Sequence, residues 1–311
     1  MKNICIVGMN GIVAKKAFKY LLTEGKYNLF LVDCKNSGYK NVYKKYKKRV
    51  KIICGDILDQ NFVEDIVKEM DAIIYLHELP FLYSYYKKEL SVSLNVDATE
   101  NFIRAINYYN PKCHFIYKSS TTLYKDKNKS ISNATKIKSL DDNYARHKYK
   151  VEELIEEKLK YYTIVRMPII LDDATDYEYV YNVKKDSMVS FITSNDAGYL
   201  FTKIIDNKNK CLSKVFNVSS NDEFNMQYRK MTELLIKANK FDMNMVLSDL
   251  FVGGIYYSPV CNNVKEFNDI LNYQIDTLDN YLDRVKYYYS KKFIRRYIGR
   301  LYLKLWQLKR K

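Results

Sequence analysis

Hydrophobic and polar positions follow two alternating patterns along the first half of the chain. Short apolar runs of strand length alternate with longer segments in which apolar residues recur at helical spacing. The predicted strands are residues 4–7, 28–32, 50–54, 72–76, 114–117 and 162–165. The predicted helices are 12–22, 61–70, 90–108 and 143–159, with a Lys/Tyr-rich helix or loop at 39–48. This order predicts an α/β fold in which helices cover a parallel sheet.

Composition narrows the class of protein. The chain has 311 residues, of which 47% are apolar, so it is long enough and apolar enough to bury a core. Its six cysteines are scattered without a CxxC pair, and the three histidines do not cluster with them, so we expect no metal site. Isolated thiols, the lack of a leader-like N-terminus and the lack of a long apolar run predict a cytoplasmic protein.

The net charge of +16 is concentrated at one end of the chain. Eleven Lys/Arg and no Asp/Glu follow Asp283, whereas the rest of the chain carries 41 basic and 36 acidic residues. We therefore expect no nucleic-acid binding by the body of the protein. Within this tail, apolar residues recur at helical spacing: Ile294, Tyr297, Ile298, Leu301, Leu305 and Leu308, widened by Phe293 and Trp306.

A basic amphipathic helix over 285–311 suits the surface of an anionic membrane, which would place the protein peripherally at the inner face. Two other interpretations stay open, because the same helix would also suit docking on its own domain or on the partner in a homodimer.

The first predicted strand leads into a glycine-containing turn and then a helix. Gly8, Gly11 and Ala14 have the spacing Gly-x-x-Gly-x-x-Ala. Gly8 would allow a tight turn, Gly11 would let the backbone approach a pyrophosphate, and Ala14 would permit close packing of helix and strand. The N–H groups that begin the helix would face the phosphates. The turn therefore predicts a dinucleotide site in a Rossmann-type fold.

Two acidic positions refine the cofactor prediction. Asp33 ends the second strand, 25 residues after Gly8, where a carboxylate accepts hydrogen bonds from ribose hydroxyls and favours NAD. Lys35 would instead suit the extra phosphate of NADP. Asp56 and Ile57 follow the third strand and are placed to flank the adenine, although Asp56 would also suit a helix N-cap.

Tyr144 and Lys148 have the spacing Tyr-x-x-x-Lys, which puts both side chains on one helix face. A lysine cation nearby lowers the pKa of a phenol by roughly 1–3 units and makes it a usable acid or base. The spacing recurs at Tyr43/Lys47, Tyr83/Lys87, Tyr108/Lys112, Tyr181/Lys185, Tyr287/Lys291 and Tyr288/Lys292. Context distinguishes Tyr144, which opens the long helix after the fifth strand and lies 24 residues after Ser120, a hydroxyl able to bind the same substrate oxygen.

These features together resemble the extended short-chain dehydrogenases/reductases of the NAD-dependent epimerase/dehydratase family, from about residue 1 to 284. Further motifs carry the resemblance: Asp71–Leu76, Asn95-Val96-Asp97-Ala98-Thr99, Arg166-Met167-Pro168, Phe191–Ala197 and Phe216-Asn217-Val218. It implies Ser120, Tyr144 and Lys148 as a catalytic triad. Loop and resemblance together predict cofactor contacts at Gly8, Asn10, Gly11, Ile12, Asp33, Asp56, Ile57, Leu76, Asn95 and Lys148.

The chain also departs from the family pattern. The fourth strand runs into Tyr75-Leu76-His77-Glu78 where the family has a His-Leu-Ala-Ala type sequence. Ile169-Ile170-Leu171-Asp172 replaces Tyr-Gly-Pro, and Val189 stands where many sugar-nucleotide enzymes carry an arginine. Thr121 and Thr122 replace the Asp-Glu of 4,6-dehydratases, which argues against dehydration.

The resemblance implies a Rossmann domain over 1–165 with a late strand near 214–219, a discontinuous substrate-binding region over 166–284, and the basic tail 285–311. It favours an NAD-dependent sugar-nucleotide epimerase or a closely related oxidoreductase. One alternative is a net NAD(P)H-dependent reductase of a keto-sugar or other carbonyl. Another is a non-catalytic NAD(P)-binding sensor or scaffold, because the segments around His77, Ile170 and Val189 are altered.

Overall fold

The computed structural model describes residues 1–34, 43–124, 131, 135, 137, 142–174, 184–239 and 259–291. Its main sheet has seven strands: β1 (Lys2–Val7), β2 (Tyr27–Asp33), β3 (Val50–Cys54), β4 (Ala72–Tyr75), β5 (His114–Ser120), β6 (Tyr162–Met167) and β9 (Lys214–Asn217). Their order is β3-β2-β1-β4-β5-β6-β9, and each neighbouring pair is parallel. This arrangement confirms the doubly wound parallel sheet, with β9 inside the range expected for the late strand.

Helices cover both faces of this sheet. The described helices of the first half are α1 (Ile12–Glu24), α2 (Gln60–Val67), α3 (Phe81–Tyr86), α4 (Lys88–Val92), α5 (Ala98–Tyr109) and α6 (Asn143–Lys158). One apolar core lies on the α1 face and includes Phe18 and Leu21, and a second lies on the opposite face and includes Phe102 and Ile155. Parallel strands covered on both faces are buried throughout, which explains their continuous apolar runs.

The second half of the chain adds α7 (Ser194–Asp206), α8 (Lys208–Cys211), α9 (Tyr228–Ala238), α10 (Val264–Leu271) and α11 (Leu278–Ser290). Helix α7 packs closely on α1: a Cβ placed on Gly198 would lie 2.4 Å from Lys16 Cβ and 2.7 Å from the Ala17 backbone nitrogen. Glycine at this position therefore lets α7 approach α1, the helix that follows the glycine-containing turn.

A small second sheet forms beside the carboxyl end of β6. It contains β7 (Ile169–Leu171), β8 (Met188–Thr193) and β10 (Asn225–Gln227), in the order β10-β8-β7. With α9 and α11 it encloses a third apolar cluster that includes Val189, Phe191 and Val285. These elements belong to the part of the chain that the sequence analysis predicted to bind substrate.

Three sequence predictions differ from the structure or fall partly outside the described residues. Residues 39–42 of the Lys/Tyr-rich segment lie outside the described residues, and Lys44–Tyr46 forms a single 3-10 turn. The helix predicted over 90–108 is interrupted by a π-helical turn, Ser93–Asp97, between α4 and α5. The amphipathic helix predicted in the tail falls mostly on 292–311, outside the described residues, although α11 itself continues across residue 285.

Candidate active site

The glycine loop lies between β1 and α1. Gly8 has φ +91°, and a Cβ there would lie 2.7 Å from the backbone nitrogen and Cα of His77. Its N–H donates to Val32 O at 3.0 Å, which ties the turn to β2. Only glycine fits this position, because an L side chain would be strained and would collide with the segment after β4.

Gly11 forms the N-cap of α1, and no side chain caps the helix there. A Cβ on Gly11 would meet only Gly8 O, at 3.4 Å, so this side of the loop faces open space. Asn10 and Ile12, on either side of Gly11, are both exposed. An open helix N-terminus beside a small residue fits the pyrophosphate of a dinucleotide.

Asp33 lies at the carboxyl end of β2, directly beside this loop. Its Oδ2 accepts a hydrogen bond from the Asn10 N–H at 3.0 Å, and its Oδ1 accepts one from the Cys34 N–H at 2.8 Å. The carboxylate is buried and holds the loop against β2. The structure therefore brings together Gly8, Asn10, Gly11, Ile12 and Asp33, as expected for the adenosine side of a dinucleotide site.

Asp56 and Ile57 follow β3, at the same edge of the sheet. Asp56 is exposed, and its Oδ1 accepts from the Leu58 N–H at 2.9 Å. The alternative interpretation of Asp56 as a helix N-cap is wrong, because Asp59 caps α2 by accepting from the Asn61 N–H at 3.0 Å. Ile57 is buried, and its carbonyl accepts from Asn101 at 3.2 Å.

Leu76 and Asn95 shape the segment that follows β4. Leu76 is buried and its N–H donates to Val7 O at 3.0 Å. Asn95 lies in the π-helical turn, where its side chain accepts from the Leu79 N–H at 2.6 Å and donates to Leu79 O at 3.2 Å. The Asn95 side chain thus fixes the backbone of the segment after β4 at Leu79. This contact gives a physical reason for an Asn at the start of the family's helix.

Tyr144 and Lys148 lie in the first two turns of α6, and both are buried. Asp142 caps the helix by accepting from the Ala145 N–H at 2.7 Å. Lys148 Nζ donates to Lys118 O at 2.8 Å and lies 5.5 Å from the centre of the Tyr144 ring. Ser120 ends β5, the strand that supplies this carbonyl, and its Oγ accepts from the Thr122 N–H at 3.2 Å. The predicted triad residues therefore gather at the carboxyl ends of β4 and β5.

Glu78 joins this group, and the sequence analysis did not assign it a role. Its Oε2 accepts from the Tyr144 hydroxyl at 3.0 Å and lies 2.8 Å from Lys148 Nζ. Its Oε1 pairs with the ammonium group of Lys118. Burial alone would raise the pKa of Glu78, but the two lysine cations outweigh it and lower the pKa to about 2. Glu78 is consequently ionised throughout the neutral range.

Two features of the sequence could have identified the ion pair of Glu78 and Lys118. Glu78 replaces an alanine of the family's fourth-strand motif, and Lys118 directly follows the apolar run of the fifth predicted strand. A buried lysine requires a partner, because isolated charge is costly inside a protein. Neighbouring strands β4 and β5 are in register at Tyr75 and Tyr117, so the residues that follow come close together.

His77 adds a half-buried imidazole to the same end of the sheet. Its Nε2 is buried with no hydrogen-bond partner among the residues that the structure describes. Burial lowers the pKa of His77, so the ring is neutral. A buried nitrogen without a partner, next to Gly8, is chemically suited to a hydrogen bond with a bound cofactor.

The remaining family motifs form the frame of the site. Arg166 Nε binds Glu152 Oε1 at 3.0 Å, and Arg166 Nη1 donates to the Tyr124 hydroxyl at 2.6 Å. The Tyr124 hydroxyl in turn donates to Asn217 Oδ1 at 3.0 Å. This buried network connects α6, β6, β9 and the segment after β5, so the Arg-x-Pro motif has a structural role here.

Val189 is fully buried in β8, opposite Met226. The position at which many sugar-nucleotide enzymes carry an arginine therefore belongs to the apolar core of the small sheet. Among the described residues, no group of three His, Cys, Asp or Glu side chains could hold a metal ion.

The strand order and the glycine loop define a Rossmann-type α/β protein. The sequence model of the NAD dependent epimerase/dehydratase family matches residues 4–169, which is more than half of the chain. The chain therefore belongs to this family. No curated protein sequence matches it.

Several solved structures share the fold of this chain, although their sequence identity to it is low. UDP-glucuronic acid 4-epimerase from Bacillus cereus, in complex with UDP-glucuronic acid and NAD, is 16% identical with a TM-score of 0.76, over 94% of this chain and 99% of that one. dTDP-glucose 4,6-dehydratase from Bacillus anthracis, in complex with NAD, is 15% identical with a TM-score of 0.76, over 94% and 97%. The UDP-Glc/GlcNAc 4-epimerase from Campylobacter jejuni is 15% identical with a TM-score of 0.75, over 94% and 100%.

Proposed function

We propose that this protein is an NAD-dependent sugar-nucleotide epimerase or a closely related oxidoreductase. The observation that carries the proposal is the convergence of Tyr144, Lys148 and Ser120 on the sheet edge that also holds the glycine loop. Family membership supports the reaction class, and the similar structures with sugar nucleotides or NAD in their complexes support the ligand class.

The residues of the candidate site would have the following roles. Gly8, Gly11 and the start of α1 would receive the pyrophosphate, and Asp33 the adenosine ribose. Bound NAD would supply the hydride acceptor and, in an epimerase, return the hydride so that no net oxidation results. Tyr144 would take the proton from a sugar hydroxyl, and Ser120 would orient that hydroxyl. Lys148 would bind the nicotinamide ribose and place a cation beside the phenol.

One observation favours a second candidate, a net NAD(P)H-dependent reductase of a keto-sugar or other carbonyl. The Tyr144 hydroxyl donates to the ionised Glu78 carboxylate, which favours the protonated phenol. A protonated phenol is suited to deliver its proton to a carbonyl oxygen as hydride reaches the carbonyl carbon, yielding an alcohol and oxidised cofactor. The two candidates differ in whether reduced cofactor is consumed stoichiometrically.

Cofactor binding provides the first test. Gly11→Val should abolish NAD(H) binding in calorimetry, because the added side chain would fill the open space on the phosphate side of the loop. Thr23→Val is the matched control: it introduces the same side chain at the exposed far end of α1 and should bind as the wild type does. A wild type without measurable affinity for NAD(H) or NADP(H) would contradict the proposed cofactor site.

A further inference from the structure

The carboxylate of Glu78 is shared by three donors from two elements. The Tyr144 hydroxyl and Lys148 Nζ reach Oε2 from α6, at 3.0 and 2.8 Å, and Lys118 reaches Oε1 from β5. All three charged side chains are largely buried, with exposed fractions of 15% for Glu78, 11% for Lys118 and 2% for Lys148. Charges this well shielded from water interact strongly, so each of them affects the ionisation of the phenol.

We propose that Glu78 and Lys118 are positioning residues of the candidate active site that set the ionisation of Tyr144 in opposite directions. The proposal rests on the proposed role of Tyr144 as acid and base. Glu78 accepts the phenol proton's hydrogen bond and places negative charge beside the oxygen, which opposes ionisation. Lys118 binds the same carboxylate and offsets its negative charge. The Lys148 cation favours the ionised phenol, Glu78 weakens that influence, and Lys118 restores part of it.

The charge balance explains why the two residues occur together. A carboxylate alone at position 78 would neutralise Lys148, the cation on which the phenol's acidity depends. Burial lowers the pKa of Lys118, and its ion pair with Glu78 opposes that shift. While Lys118 is protonated, the cluster of one carboxylate and two ammonium groups keeps a net positive charge beside Tyr144. Glu78 and Lys118 thus act as a coupled pair in which the lysine compensates for the carboxylate.

Other groups near the cluster leave this balance unchanged. His77, at the end of β4, is kept neutral because burial lowers its pKa. Tyr117, from β5, faces Glu78, and burial raises its pKa well above its usual value. Farther along α6, Glu152 is paired with Arg166.

Asp33 lies at the end of β2 and binds the glycine loop. Its negative charge acts on the pKa of His77, which it raises against the larger effect of burial. From the segment after β4, Phe81 packs edge-on against Tyr144, with ring centres 5.9 Å apart, and adds no charge. Among the residues that the structure describes, the phenol's ionisation therefore depends chiefly on Glu78, Lys118 and Lys148.

The test places a single 3-fluorotyrosine at position 144 of the full chain and follows its ionisation by fluorine NMR as pH is raised. Fluorotyrosine is more acidic than tyrosine, which brings the titration into a convenient range. The background is the wild-type chain, Glu78→Gln or Lys118→Met. Glu157→Gln is the control, because Glu157 lies on the same helix, is exposed and pairs with Lys158.

Glu78→Gln should lower the midpoint of the titration by roughly one pH unit or more, because it removes the opposing negative charge. Lys118→Met should raise the midpoint, because it removes a favourable positive charge. Glu157→Gln should leave it unchanged. Shifts of the two variants in the same direction, or midpoints that coincide with the wild type, would overturn the proposal and leave the pair a purely structural role.

Breaking a buried ion pair can also destabilise a protein. The double variant Glu78→Gln/Lys118→Met removes both partners, and its midpoint should fall between those of the single variants. The titration uses neither cofactor nor substrate, so its outcome is independent of nicotinamide binding and turnover. A failed cofactor assay would therefore count against the proposed function and not against this pair.

Discussion

Glu78 illustrates how a single side chain alters the chemistry that a familiar motif predicts. The Tyr-x-x-x-Lys spacing predicted that Tyr144 and Lys148 share one helix face, and in the structure both are buried residues of α6. The spacing could not reveal which third group would contact them, because Glu78 is 66 residues away in sequence from Tyr144 and reaches it only through the fold. The departure from the family's alanine marked the position but not its partner.

The Glu78 ion pairs should make stability depend on acid pH. Since the two lysines lower the pKa of Glu78 from 4.5 to about 2, its contribution is fully present above pH 4.5 and is lost as pH falls toward 2. That shift corresponds to about 3 kcal/mol. Urea unfolding of wild type and Glu78→Gln should therefore show a stability difference that shrinks by this order between pH 5 and 2.

Other carboxylates titrate in the same range, and Asp196 titrates in the opposite sense because burial raises its pKa to about 6. Comparing the two proteins at each pH cancels these contributions. A stability difference that is constant from pH 5 to pH 2 would contradict the assignment of Glu78 as an ionised, lysine-paired group.

At the scale of elements, the hydrophobic pattern predicted the strands β1 to β6 within a few residues. The largest discrepancy is β5, which continues to Ser120 although the pattern ended it at Tyr117. Lys118, Ser119 and Ser120 are polar residues that suggest a loop, yet all three are buried at the carboxyl end of the strand. The proposed function accounts for this, because these residues lie at the candidate active site.

The segment between β4 and β5 contains a turn that the hydrophobic pattern did not predict. Its apolar spacing is nearly continuous, which predicted one helix over 90–108, whereas the structure has α4, a π-helical turn and α5. The turn places the Asn95 side chain against Leu79. Helical periodicity cannot detect such a turn, because one additional residue hardly changes the pattern of apolar positions.

The contact of α1 with α7 should be sensitive to a single methyl group. Gly198→Ala should lower the free energy of unfolding by about 1–3 kcal/mol, because its Cβ would collide with Lys16 Cβ and the Ala17 backbone. This loss would occur although alanine is the better helix former. Urea denaturation measures it.

Asn195→Ala is the control for this substitution, because it changes a half-exposed position in the first turn of the same helix and should alter stability little. A Gly198→Ala protein as stable as the wild type, or more stable, would mean that α1 and α7 are less closely packed than the structure shows.

Across the molecule, the sequence predicted the central sheet well, whereas the predicted start of the tail at residue 285 falls inside a helix. Helix α11 continues to Ser290, with Val285 and Tyr289 buried, and Arg284 binds Asp276 and Asp173. The charge pattern alone suggested that the basic tail begins at 285, since charge reports neither helix continuity nor burial. Among the described residues, no helix is both long enough and apolar enough to cross a membrane.

The tail therefore has to be tested by truncation after Lys291, which leaves α11 intact. Eight Lys/Arg and the apolar positions Leu301, Leu305 and Trp306 lie beyond that point. Each basic residue near an anionic surface contributes on the order of 1 kcal/mol, and salt screens the attraction. The full chain should co-sediment with phosphatidylserine-containing vesicles at low salt, less so at high salt, and the truncated chain should not.

Neutral phosphatidylcholine vesicles are the control and should retain little of either protein. Equal sedimentation of the full and truncated chains with anionic vesicles would contradict membrane binding by the tail. Aggregation or a changed oligomeric state of the truncated chain would support the alternative in which the tail docks on its own domain or on a second copy.

Turnover by the wild type and by Tyr144→Phe tests the proposed proton transfer by Tyr144 on a sugar nucleotide. Proton NMR would follow the sugar-ring signals of a panel of UDP- and dTDP-sugars with NAD or reduced cofactor, while absorbance records the reduced nicotinamide. Tyr287→Phe is the matched control, because Tyr287 has the same spacing to a lysine, Lys291, but is 61% exposed on α11.

The wild type and Tyr287→Phe should convert at least one member of the panel. Tyr144→Phe should lower kcat/KM for that substrate by about 100-fold or more, with cofactor affinity unchanged, because only the acid/base oxygen is lost. Wild-type turnover retained by Tyr144→Phe would contradict the claim. So would a wild type that binds the cofactor and converts none of the sugar nucleotides.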